Sequence, residues 1–224
     1  MYAFKKYHNI FLVAFCFLFV STVAAQKNIY ESKRFDELSA DHETLAIIPF
    51  LARLDLDGSL EKEERDALAE REGKAVQNAL ETYFSRRKRR KKFNVEFQNV
   101  EDTNALLAQN GISYKNIDVY TIKQLSEILG VDGIISGNLN LNILLSEGVP
   151  TDFSLFDYFS GDANYGRIGI KISDGATGKL LWKYEKEITK KTGKNTTDLI
   201  DKMMKLASRK FPYDKEKKRR KKRN

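Results

Sequence analysis

Short apolar runs, helical stripes and alternating segments succeed one another along this chain, and their order predicts a layered α/β fold. Thr44 to Phe50 is a continuous apolar run ending at Pro49, which suits a strand buried on both faces. From Leu60 to Ser85 the pairs Ala67/Leu68, Ala75/Val76, Ala79/Leu80 and Tyr83/Phe84 recur at helical spacing. Phe93 to Phe97 alternates and predicts a half-exposed strand. Two helices follow, over 101–109 and 120–129, with Asn110-Gly111 and Gly130 as their stops. Val131 to Leu141 is the next strand. Residues 167–173 and 179–188 alternate around Asp174-Gly175-Ala176-Thr177-Gly178, which is turn chemistry, and predict a hairpin. Thr196 to Phe211 closes the pattern as an amphipathic helix.

The predicted order is β-α-β-α-α-β-β-β-α. Helices between the first strands imply parallel pairing by right-handed crossover, and the hairpin adds an antiparallel edge. The expected fold is therefore α/β: a mixed, partly parallel sheet of about five strands flanked by helices, with an antiparallel C-terminal hairpin.

The ends of the chain change the picture. Residues 10–25 are an apolar stretch preceded by Lys5 and Lys6 and closed by Val23-Ala24-Ala25. That layout predicts a secretory signal peptide cleaved after Ala25. Its apolar core is about half of the roughly 20 residues a membrane span requires. Cys16, the only cysteine, would leave with it, so the mature chain would have no disulfide, thiol nucleophile or thiolate metal site. Phe15 stands before Cys16 where a lipid-acceptor site would carry a small residue. The division expected is a signal peptide (1–25), a flexible lead-in (26–43), one α/β domain (44–212, with a long loop at 142–165) and a disordered basic tail (213–224).

The formal charge of +8 is unevenly spread. Arg86, Arg87, Lys88, Arg89, Arg90, Lys91 and Lys92 form one basic run. Lys217, Lys218, Arg219, Arg220, Lys221, Lys222 and Arg223 dominate a second. Without the leader and these runs, acidic residues outnumber basic ones. The chain is an acidic body with two basic appendages. In a cytosolic protein such runs point to nucleic acid. Behind a leader they point to anionic lipid head groups, lipopolysaccharide or an acidic protein partner. Phe153, Phe156 and Phe159 in the long loop are a second candidate contact with a membrane or partner.

Catalytic and metal-binding patterns are weak. His42 is the only histidine of the mature chain and lies in the lead-in, where a solvated linker residue is expected. Asp55, Asp57 and Ser59 faintly resemble a calcium loop, but Gly58 is fourth instead of sixth and Asp66 stands where glutamate closes such loops. Glu61, Glu63, Glu64, Asp66, Glu70 and Glu72 read as a solvated helix face. No phosphate loop or dinucleotide fingerprint is present. No cofactor, metal or catalytic set is expected.

Three segments carry a family resemblance: Ile47-Ile48-Pro49-Phe50; Leu129-Gly130-Val131-Asp132-Gly133-Ile134-Ile135-Ser136-Gly137; and Ile172 to Trp182 through Asp174-Gly175-Ala176-Thr177-Gly178. In this order, behind a leader, they resemble the periplasmic α/β domain shared by the curli-secretion channel subunit CsgG, the penicillin-binding-protein activator LpoB and the N-terminal domain of TolB. The resemblance covers about residues 44–210. It implies assembly, secretion or activation of other proteins, and no catalytic residue. The function expected is that of a non-enzymatic, exported envelope accessory protein. The alternative is a secreted nucleic-acid-binding protein, and homo-oligomerisation stays open. A channel subunit ranks last, because Pro150, Asp152 and Asp157 interrupt the only segment long enough for membrane hairpins.

Overall fold

The computed structural model describes residues 28–56, 60–88, 93–148, 165–189, 194–207 and 211–214. The leader, the aromatic loop segment holding Phe153, Phe156 and Phe159, residues 89–92 and residues 215–224 lie outside them. Among the described residues no helix is long and apolar enough to cross a membrane.

Seven strands form one mixed sheet. They are β1 (Ile29–Glu31), β2 (Thr44–Ile47), β3 (Leu51–Leu54), β4 (Glu96–Phe97), β5 (Gly133–Leu141), β6 (Gly166–Asp174) and β7 (Leu180–Ile188). Among the described residues five α-helices flank it: α1 (Phe35–Leu38), α2 (Lys62–Lys88), α3 (Val100–Gln109), α4 (Ile122–Leu129) and α5 (Thr196–Ala207). The strand order is β1-β7-β6-β5-β2-β4, with β3 also on β5. β2 pairs in parallel with β4 and β5, while β5, β6, β7 and β1 pair antiparallel. The parallel crossovers and the hairpin expected from the pattern are both present.

The continuous apolar run at β2 has a direct cause. Leu45 and Ile47 face one core, with α2, α5 and the hairpin; Ala46 and Ile48 face the other, with α3 and α4. A strand covered on both sides has no position for a polar residue. α2 buries Ala69, Val76, Leu80, Tyr83 and Phe84, a stripe at spacings of three, four and seven. α4 starts on a capping box between Thr121 and Gln124 and stops at Gly130, whose φ of 65° needs a residue without Cβ strain. Gly137 permits a close approach: a Cβ there would lie 2.2 Å from the Phe50 ring and 2.0 Å from the Gly169 carbonyl oxygen.

Four expectations are corrected. Pro49 interrupts pairing but does not end it. β3 resumes along β5 four residues after β2, with Leu51 opposite Asn138, so residues 51–54 are strand as well. The lead-in is ordered from Ile29. β1 adds a strand outside β7, so the hairpin is not the edge of the sheet, and Phe35 is buried. Those short segments lack a period because long-range pairing, not local pattern, holds them. Glu72 is not on a solvated face. It is 1% exposed and accepts from the Ser146 backbone N–H and hydroxyl. Finally, Tyr213 and Asp214, assigned to a disordered tail, are each 2% exposed.

Candidate functional site

Residues 211–214 dock where α2 ends. Phe211 packs against Phe84, Phe93 and Trp182, with ring centres 5.3, 5.6 and 5.7 Å away. Asp214 forms an antiparallel bridge with Phe93, and the Asn94 N–H donates to the Tyr213 carbonyl at 3.1 Å. Arg87 seals the join. Its Nη2 donates to Asp214 Oδ2 at 2.7 Å, and its guanidinium lies 5.6 Å from the Tyr83 ring centre and 5.8 Å from that of Phe93. Planar, weakly hydrated guanidinium suits such a half-buried, stacked position.

The structure thus places the described basic residues as follows. Arg86 donates to Asp201 on α5, and Arg87 donates to Asp214. Both guanidinium groups are engaged within the molecule. Lys88 is the last residue of α2. Phe93, which follows Lys92 in sequence, is the bridge partner of Asp214, which precedes Lys215.

A second arrangement escaped sequence reasoning. His42 is not a linker residue. Its side chain is 6% exposed, and both ring nitrogens have partners. Nδ1 lies 2.6 Å from the Tyr213 hydroxyl and Nε2 lies 3.0 Å from Asp174 Oδ1. A neutral ring satisfies both when Tyr213 donates to Nδ1 and Nε2–H donates to Asp174. Asp174 Oδ2 also accepts from the Thr177 N–H and hydroxyl within the hairpin turn. Asp132, from the second resemblance segment, accepts from the Glu43 and Thr44 N–H groups at 2.9 and 2.8 Å. Both aspartates of the resemblance segments therefore clamp the entry to β2. The available signals were Asp174, read as turn chemistry alone, and Phe211-Pro212-Tyr213, an aromatic island in a charged stretch.

Electrostatics follow from burial. Burial alone would raise the Asp174 carboxyl, but hydrogen bonds from Thr177 and His42 outweigh it and hold the group below its ordinary value. Burial pushes the Tyr83 phenol up to about 12, against the pull of Arg87. Burial, with Asp174 and Asp132 nearby, also raises the Tyr213 phenol. Stability from Asp174 is present above the ordinary carboxylate value of 3.8 and is lost as pH falls through the lower native value. Stability from the phenols is present below their ordinary value of 10.0 and, for Tyr83, is lost as pH rises through about 12. Urea midpoints measured across pH should be flat near neutrality and fall at both extremes. In Asp174→Asn the acid fall should be shallower.

This geometry does not assemble a nucleophile and base. A triad histidine needs one ring nitrogen facing the nucleophile, and here Asp174 and Tyr213 take both. Open α/β sheets bind ligands beyond the carboxyl ends of parallel strands. In this chain β2 continues past that point as β3. Tyr114 fills the side of it, accepting from the Ala52 N–H at 2.7 Å and donating to the Ala69 carbonyl at 3.0 Å. Among the described residues no cluster of three potential metal ligands occurs.

No family model and no curated protein matches this chain. Among solved structures it is similar to lipoprotein GNA1162 of Neisseria meningitidis, at 12% identity and a TM-score of 0.46, covering 74% of this chain and 98% of that one. It is also similar to the LpoB C-terminal domain of Salmonella enterica, at 12% identity, a TM-score of 0.37 and coverage of 69% and 91%. The hypothetical protein CT253 of Chlamydia trachomatis aligns at 8% identity, a TM-score of 0.34 and coverage of 76% and 97%. Likeness at this level carries no binding or catalytic property across to this chain.

Proposed function

We propose that this chain is a non-enzymatic, exported accessory protein of the bacterial envelope, of the LpoB-like kind. It binds an anionic membrane surface or an acidic protein partner through its two basic runs. The observation that carries this reading is the Phe93–Asp214 bridge, reinforced by the Arg87–Asp214 ion pair. Of two runs more than a hundred residues apart in sequence, one ends beside Phe93 and the other begins beside Asp214, its bridge partner. A single concentrated positive field attracts a polyanionic surface more strongly than two separated ones. Near such a surface each lysine or arginine contributes about 1 kcal/mol.

The leader and the resemblance to CsgG, LpoB and TolB domains support the envelope location. The same leader sets nucleic acid aside as the natural ligand. The test is co-sedimentation of the mature protein with vesicles of phosphatidylglycerol and phosphatidylcholine. Binding should rise with the anionic fraction, fall steeply with salt, and vanish when Lys88–Lys92 and Lys215–Arg223 are changed to glutamine. Binding that survives those changes would remove the membrane part of the reading. Pull-down from envelope fractions with the same two proteins tests the protein-partner part.

A further inference from the structure

An open pocket of about 390 Å³ lies at the amino ends of β2 and β5, beside His42. Asp41, Glu127, Asp132 and Asp174 line it, and among the described residues no lysine or arginine does. Asp174 is fully engaged by His42 and Thr177, and Asp132 Oδ2 by two backbone N–H groups. Asp41 and Glu127 are exposed at the rim.

Ser126, on the last turn of α4, also lines the pocket. The residue is 4% exposed, and its hydroxyl has no hydrogen-bond partner. Buried hydroxyls are rarely left so, because the unmet bond costs free energy. The hydroxyl lies against Gly175, also in the lining: a Cβ at Gly175 would come within 2.6 Å of it.

We infer that this pocket binds one cationic side-chain group, a guanidinium or ammonium, with Glu127 and Asp41 supplying charge and Ser126 Oγ accepting a hydrogen bond. A guanidinium has five N–H donors and no acceptor, which matches a lining of carboxylates and an unpaired hydroxyl. The volume suits one long side chain more than an extended peptide. Two sources share this chemistry. One is the chain's own basic tail, which begins two residues after Tyr213, the hydroxyl partner of His42. The other is an arginine or lysine of a partner protein. The inference does not rest on the membrane reading, because it concerns an acidic pocket and a cationic ligand.

The test is a titration of the ¹⁵N-labelled mature protein with N-acetyl-arginine amide, followed by amide chemical shifts. The neutral isostere N-acetyl-citrulline amide is the control. Saturable shifts should centre on Ser126, Gly130 and Gly175 and be absent with citrulline. Ser126→Ala should weaken binding about tenfold, as expected for loss of a hydrogen bond to a charged donor, while the melting temperature holds or rises. Glu127→Gln, at an exposed position, should weaken binding without unfolding the protein. If the tail with its lysines and arginines changed to glutamine binds the probe more tightly than the native tail, the tail is the native occupant. Equal affinity assigns the site to a partner's side chain. Equal response to citrulline, or unchanged affinity in both Ser126→Ala and Glu127→Gln, would overturn the inference.

Discussion

Replacing Phe211 with alanine should lower the unfolding free energy by about 3–5 kcal/mol, the range for deleting a fully buried aromatic ring. Phe211 is 2% exposed and touches rings from three separate parts of the chain: Phe84 of α2, Phe93 just before β4, and Trp182 of β7. Deleting it removes apolar contact on all three at once, and the site cannot collapse from one side alone. The loss has a functional side. Phe211 is three residues before Asp214, so a weakened anchor also loosens the Phe93–Asp214 bridge on which the proposed joint surface depends. Chemical denaturation should show the stability loss, and vesicle binding by the folded fraction should weaken with it. A stability change below about 1 kcal/mol would mean that the C-terminal segment is not docked as described.

His42→Ala should cost about 2–4 kcal/mol, a range set by leaving buried polar groups without partners. The change strands the Tyr213 hydroxyl and one oxygen of Asp174, both nearly inaccessible to water. It also loosens two distant points, the hairpin turn at Asp174–Gly178 and the C-terminal anchor. His42→Gln, with one donor and one acceptor in its amide, should recover part of the loss. Hydrogen exchange should localise the effect to residues 174–178 and 211–214. A cost equal to that of substituting any exposed lead-in residue would return His42 to the solvated role expected from its sequence position.

The legible parts of this fold are those where local pattern and tertiary burial agree. The unbroken apolar run of β2, the alternation of β6 and β7, the stripe of α2 and the Gly130 stop all follow from one rule: side chains repeat with the period of the element and the number of faces it buries. Where a residue is fixed from far along the chain, sequence gives no period to read. β1 is a strand because β7 offers it an edge. β3 resumes because β5 extends beyond Pro49. His42 is buried because Asp174 and Tyr213 arrive from 132 and 171 residues away. Charge patterning fails in a related way. Glu72 and Arg87 look like solvated ions beside their neighbours, yet one holds Ser146 and the other Asp214. The basic runs were plain in the sequence; the bridge between Phe93, after one run, and Asp214, before the other, was not.

That union is best tested by titrating four forms of the mature protein with anionic vesicles over a range of salt. The forms are the native chain, each run neutralised separately at Lys88–Lys92 or Lys215–Arg223, and both runs neutralised. A single surface predicts that loss of either run removes most of the affinity, and that each change lowers the salt dependence of what remains. If one run binds as well alone as the two together, or if the doubly neutralised chain still binds, the joined basic surface is not what engages the membrane.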